Sequence, residues 1–160
     1  MSLSKKIAAA LDENTKAYVL PCTVTVEDSP SRLTLNLTAL DTVGLAFSTM
    51  EYADTSRTEW SSEALKAWGD RLSKRVTYLM EPLKVIEVHD QAGEVQMRSQ
   101  SPTPRDTERA YYEMRLFRSG IVRMERYVFD DTTRQRRQVP CQLTRETLER
   151  LADDIAATTA

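Results

Sequence analysis

Residues 109–129 read RAYYEMRLFRSGIVRMERYVF, and the alternation in this stretch decides the fold. Ala110, Tyr112, Met114 and Leu116 alternate with more polar neighbours up to Arg118-Ser119-Gly120, and Val122, Met124 and Val128 alternate after it. A period of two marks strands with one buried face, and a Gly-containing break between two such runs marks a β-hairpin. Loop length then sets the register. A two-residue loop at Ser119-Gly120 pairs Leu116 with Arg123 and mixes the faces. A three-residue loop at 118–120, with Gly120 in the left-handed conformation, pairs Leu116 with Val122 and Met114 with Met124. The second arrangement is expected. It places Arg126 on the apolar face opposite Tyr112, at the sheet margin, with its stem packed and its head solvated.

The same register assembles a second surface on the opposite face. Tyr111 meets Tyr127, Glu113 meets Glu125 and Arg115 meets Arg123, with unlike charges on the diagonals. Tyr111, Arg115, Phe117, Arg123, Tyr127 and Phe129 are the candidate binding residues, because arginine and large aromatics are the types in which interfaces are enriched. Three readings follow. A second layer of the same domain, such as the terminal helices, covers the aromatics; a homodimer or another protein covers them; or they stack on single-stranded nucleic acid, which the interspersed glutamates disfavour.

Outward from this hairpin the chain repeats the pattern. Leu20, Cys22, Val24 and Val26 alternate, Asp28-Ser29-Pro30-Ser31 supplies turn chemistry, and Leu33, Leu35, Leu37 and Ala39 alternate in turn. A loop at 28–31 pairs Val26 with Leu33, Val24 with Leu35, Cys22 with Leu37 and Leu20 with Ala39. Asp41 to Gly44 is a second turn, and Leu45, Phe47 and Thr49 extend the same face into a third strand ending near Tyr52. Ile86 and Val88, the turn 90–93, and Val95 and Met97 form another hairpin, with His89 opposite Glu94. Residues 3–13, about 61–74 behind Ser61 or Ser62, and a stretch behind Thr144 with Leu148, Leu151 and Ile155 read as helices. Residues 76–81 fit helix and strand equally. Residues 99–104 and the basic run Arg134-Gln135-Arg136-Arg137 read as loops, and 139–143 as one short strand.

The fold class expected is α+β, an antiparallel sheet of about six to eight strands built from hairpins, with N-terminal, central and C-terminal helices packing on it. The 160 residues are expected to form a single α+β domain, 1–160, since 41% hydrophobic and 29% charged residues suffice for one packed core. Net charge is −2, yet residues 102–140 carry nine arginines, no lysine and six acidic residues. Such a balance recommends neither nucleic acid nor an acidic membrane as partner.

No residue set announces chemistry. The single histidine, His89, lacks a neighbouring nucleophile or orienting group and reads as a solvated hairpin-end residue. Cys22 and Cys141 stand far apart outside any CxxC pattern, four glycines make no phosphate-cradling loop, and no metal-binding spacing occurs. No catalytic residue, metal or other cofactor is expected. Two thiols and no targeting segment place the protein in the cytoplasm, away from membranes. The leading expectation is a non-enzymatic interaction or chaperone-like module acting on itself as a homodimer or on another protein. The alternative is a small-ligand or enzymatic pocket between sheet and helices using Arg126, Tyr112 and Glu81.

The element order, helix, three strands, helix, two strands, further strands and a last helix, resembles that of the secretion-chaperone-like α/β fold. Members of that fold dimerise and bind extended protein segments, so the resemblance implies a homodimeric binding module. It rests on element order without matching residues, and the extra hairpin departs from it.

Overall fold

The computed structural model describes residues 2–14, 19–79, 83–89, 91, 93–99 and 107–159. Along the chain lie α1 (Leu3–Asn14), β1 (Cys22–Asp28), β2 (Ser31–Leu40), β3 (Gly44–Asp54), α2 (Ser62–Arg75), β4 (Leu83–His89) and β5 (Glu94–Ser99). There follow β6 (Glu108–Phe117), β7 (Ile121–Asp130), β8 (Gln135–Val139), β9 (Cys141–Thr144) and α3 (Arg145–Thr158). The chain is α+β, and all strand pairs among the described residues are antiparallel.

The sheet follows the order β1-β2-β3-β7-β6-β5-β4, so the sequence-distant strands β3 and β7 meet at its centre. Ile121 to Met124 pair with Ala53 to Met50, after which the two strands part. The chain from 135 to 144 fills the fork. β8 runs toward the fork along β7, with Arg126 opposite Val139, and β9 runs away from it along β3, with Phe47 opposite Cys141. Pro140 sits at the reversal, where its missing N–H deprives no ladder of a donor. Residues 135–138, expected as loop, are thus strand, which brings the described sheet to nine strands.

The registers agree with the alternation at most positions. Val26 faces Leu33, Val24 faces Leu35 and Cys22 faces Leu37, and the ladder runs one pair beyond expectation, to Asp28 and Ser31. Leu20 lies before β1, so its expected pairing with Ala39 does not form. In β3 the phase changes: irregularities flank Leu37, and Met50 and Tyr52, rather than Thr49, follow Phe47 into the core. A bulge shifts inward-facing positions by one residue, which strict alternation cannot anticipate. His89 pairs with Glu94, and another irregularity lies between Val85 and Glu87. The helix at 62–75 ends before the ambiguous segment; Val76 to Leu79 are neither helix nor strand, and residues 80–82, with Glu81, lie outside the described residues.

One face of the sheet carries the core. Leu33, Leu35, Leu37, Met50, Met97, Met114, Leu116, Val122 and Met124 are buried in one cluster with Ile7 and Leu11 of α1, Leu65, Trp68 and Leu72 of α2, and Leu148, Leu151 and Ile155 of α3. Each such side chain contributes roughly 1.5–3 kcal/mol by leaving water. The helices begin as their caps dictate: Ser61 Oγ accepts from the Ala64 amide at 3.1 Å, and Thr144 Oγ1 from the Thr147 amide at 3.1 Å. Asp153 of α3 accepts from the Ser4 amide at 3.0 Å, tying α1 to its neighbour.

The β6–β7 loop is the expected three-residue turn, with Gly120 at φ +88°. It is also a docking point. Asp54 donates its amide to Gly120 O at 2.9 Å and Trp60 to Arg118 O at 2.8 Å, which fastens the segment leading into α2. Trp60 then stacks on Trp68, ring centroids 4.6 Å apart.

A Cβ on Gly120 would stand 2.6 Å from the backbone oxygen of Arg57, at a φ unfavourable to any L side chain. Gly120→Ala is therefore expected to cost about 2–3 kcal/mol in urea denaturation, against under 1 kcal/mol for an ordinary surface substitution. A loss within that ordinary range would show that the turn does not constrain the hairpin.

Candidate functional site

The face of the sheet turned away from the helices divides into two unlike halves. On β1 and β2 it presents Thr23, Thr25, Thr34 and Asn36, short polar side chains paired across the strands, and the Glu27–Arg32 ion pair at 2.8 Å, all open to water or nearly so. On β5 to β8 it presents long and aromatic side chains packed into a second, thinner layer. The three helices bury their apolar residues in the core on the other face. The expectation that terminal helices cover these aromatics is therefore corrected: α1 and α3 pack on the opposite side.

Cross-strand pairing builds the layer in rows. Tyr111 lies opposite Tyr127, Glu113 opposite Glu125, Arg115 opposite Arg123 and Phe117 opposite Ile121, the register the turn predicts. β5 adds Arg98 beside Glu113, Gln96 beside Arg115 and Glu94 beside Phe117. β3 adds Glu51 beside Arg123, and β8 adds Gln138 beside Tyr127 and Arg136 beside Phe129.

Glu113 is the centre of this layer. Only 1% of it is exposed, although it lies on the sheet face opposite the three described helices. Its Oε1 accepts from Gln96 Nε2 and from Arg136 Nη1 at 3.4 Å, and lies 3.7 Å from Arg98 Nη2. Its Oε2 lies 3.5 Å from Arg115 Nη2 without a hydrogen-bond partner. A carboxylate taken out of water needs compensating charge, and three guanidinium groups converge to supply it. Those guanidiniums rest on rings. Arg98 sits 4.5 Å from the centroid of Tyr111 and Arg136 4.1 Å from that of Tyr127, while the two tyrosines stack at 6.0 Å.

The remaining candidates join the same layer. Arg123 pairs with Glu51 at 2.8 Å and lies 5.2 Å from the Phe117 ring, Arg115 approaches Glu94 at 3.5 Å, and Arg134 stands 5.7 Å from Phe129. Burial, with Glu125 and Glu113 nearby, pushes the Tyr127 phenol above its ordinary range. The hydrogen bond to the Tyr111 hydroxyl, with Glu113 nearby, holds Arg136 more firmly protonated. All six sequence candidates lie in this layer. Arg98, Gln96 and Arg136 were not among them, because their places depend on strand order and on β8 being a strand. The alternation of Glu94, Gln96 and Arg98 was legible; its neighbour was not.

Arg126 departs from expectation. It faces inward at the fork with its guanidinium 4.3 Å from the Tyr112 ring, and its Nη1 is buried without a hydrogen-bond partner rather than solvated. Cys141 of β9 is fully buried, and burial pushes its thiol up to about 12, with Arg126 opposing the shift. Among the described residues no group of three or more His, Cys, Asp or Glu side chains could hold a metal ion, and no helix is long and apolar enough to cross a membrane. An open groove beside Ala39, Asp41, Gly44 and Thr144 lies at the far end of β3 from this layer. Compared with protein-family models, curated proteins and solved structures, the chain matches none.

Glu113→Ala leaves three guanidiniums around an uncharged site and is expected to cost roughly 1–3 kcal/mol in urea denaturation. Arg98→Ala, at a side chain 39% exposed and with two arginines left to serve Glu113, is expected to cost under about 1 kcal/mol. Equal losses for the two would show that Glu113 is not the centre of the network. A thiol pKa raised by folding stabilises the native state below the unfolded thiol's value of 9.0, and this contribution falls away as pH climbs from there toward about 12. Cys141 should therefore resist Ellman's reagent in the native protein near pH 8 and react only on unfolding; reaction at the rate of an exposed thiol would contradict its burial.

Proposed function

We propose that this protein is a non-enzymatic, cytoplasmic interaction module that binds a protein partner, itself included, through the outer face of β5 to β8. The observation that carries this reading is the contrast between the two halves of one sheet face. Where β1 and β2 meet water, the residues are threonine, asparagine and one exposed Glu27–Arg32 pair, with no aromatic; on β6 and β7 they are tyrosine, phenylalanine, arginine and glutamate, buried or half-buried against one another. Water alone asks only for the first kind. Flat aromatic and guanidinium groups already fixed in place lose little side-chain entropy on contact, which is why they dominate binding energy at interfaces. Tyr111, Arg115, Phe117, Arg123, Tyr127 and Phe129 are the contact residues in this reading. Cys22 and Cys141 are free thiols, which suits a reducing compartment.

A second reading has one observation in its favour. The buried, unpartnered Nη1 of Arg126 beside Tyr112 suits a small carboxylate or phosphate ligand between sheet and helices. A thermal-shift series with such anions separates the two readings, since a site there raises the melting temperature in wild type and not in Arg126→Gln.

Tyr127→Ala combined with Phe129→Ala should abolish self-association or partner capture while leaving the far-ultraviolet circular dichroism unchanged, because both side chains are only half-buried. Sedimentation velocity at hundreds of micromolar and co-purification from the native host measure the two activities. A wild type that is monomeric and retains no partner would overturn the interaction reading.

A further inference from the structure

The rows of the outer face have an order that makes the face complementary to itself. Along β6 the outward residues run Tyr111, Glu113, Arg115, Phe117; opposite them along β7 run Tyr127, Glu125, Arg123, Ile121. An aromatic row is thus followed by an acidic row, a basic row and an apolar row, at successive steps of roughly 7 Å along the strands. A half-turn about an axis that crosses the strands midway between the acidic and basic rows exchanges the first row with the fourth and the second with the third. We infer that two copies of this chain associate face to face about that axis, an arrangement that rests on the interaction reading above and names its partner.

Under this operation each strand lies over its own copy. Glu125 meets the partner's Arg123, and Arg123 meets the partner's Glu125, so every such contact occurs twice, as an isologous interface requires. Tyr127 meets the partner's Ile121 and Tyr111 meets the partner's Phe117, which puts ring against apolar surface at both ends of the charged rows. On β5, Arg98 meets the partner's Gln96, a donor facing an amide that can accept. No like charges are brought together on these three strands. A shift of the axis by half a row in either direction, which slides the two copies by one row, would set Glu125 on the partner's Glu125 or Arg123 on the partner's Arg123, so the row order specifies one register and opposes its neighbours.

The charges are also poised for this contact. Glu113 is covered by its own three arginines, so Glu125 and Arg123 carry the intersubunit pairing. Arg123 remains 39% exposed while paired to Glu51, with donors left over for a second carboxylate. Sheet twist confines close approach to the middle strands and the rows nearest the axis, a patch on the order of 20 Å on a side. That is the small end of specific interfaces, and a dissociation constant in the micromolar range is expected. An oligonucleotide would have to lay a continuous phosphate chain across the acidic row, which this face opposes.

R123E and E125R test the register directly. R123E sets acidic against acidic twice in the dimer and E125R sets basic against basic twice, so each alone should sediment as a monomer, its dissociation constant raised by about 100-fold or more. An equimolar mixture of the two restores both pairs across the interface and should sediment as a heterodimer, as should the double variant R123E/E125R as a homodimer. Circular dichroism confirms that each single variant is folded. Should either fail to fold, the isosteric R123Q and E125Q serve instead, each expected to weaken the dimer about tenfold. A wild-type dimer that persists in both single variants, or that the mixture does not restore, overturns this two-fold arrangement and leaves the interaction reading standing. A monomeric wild type overturns the arrangement outright, and salt-dependent retention of that monomer on an oligonucleotide would identify nucleic acid as the occupant of the face.

Discussion

Gly120 stands at φ +88° with the carbonyl of Arg57 against the place its Cβ would take, and the pairing of β6 with β7 depends on that turn. Had the loop one residue fewer, Arg123 would face Leu116, and every outward residue of β7 would be driven into the core. With the three-residue turn, Met114, Leu116, Val122 and Met124 share the inner face with Met50 and Tyr52, and the tyrosines, glutamates and arginines collect outside. The turn further receives the amides of Asp54 and Trp60, so it also sets where β3 ends and where α2 approaches the sheet. A single backbone conformation available at low cost only to glycine thereby orders both surfaces of the sheet.

Most of what the hairpins do was legible in the chain, because a period of two, turn chemistry and face consistency are local properties. Val26 with Leu33, Met114 with Met124 and Tyr111 with Tyr127 all follow from them. The caps at Ser61 and Thr144 were legible for the same reason. What escaped was either a phase change or a matter of long-range order. The bulge in β3 between Phe47 and Met50 moves Met50 inward without any sequence mark. Arg134 to Arg137 look like solvated charge, yet Gln135 to Arg137 enter a strand because β7 leaves an open edge at the fork and Pro140 lets the chain turn back along β3. The candidate site was half visible accordingly: the residues of one hairpin, without Arg98 and Arg136, which other strands deliver.

The outer layer also explains how one side of a central sheet stays ordered although the three described helices lie on the other. Buried carboxylates are ordinarily a liability, and Glu113 is tolerated because Gln96 and three arginines surround it while the guanidiniums of Arg98 and Arg136 lie over Tyr111 and Tyr127. The aromatic rings are shielded by cations rather than by aliphatic side chains. A surface of this kind keeps apolar area from water and still presents donors outward.

The two tryptophans of the chain form one stacked pair, with Arg57 over Trp60 and Trp68 hydrogen-bonded to Thr158 at the end of α3. The molecule therefore carries two optical reporters that do not overlap in place. Tryptophan emission reads the junction where the β6–β7 turn, α2 and α3 come together, and tyrosine signals include Tyr111 and Tyr127 on the opposite face. Excitation at the red edge of the near ultraviolet, where tyrosine no longer absorbs, follows the core alone and is silent about the outer layer.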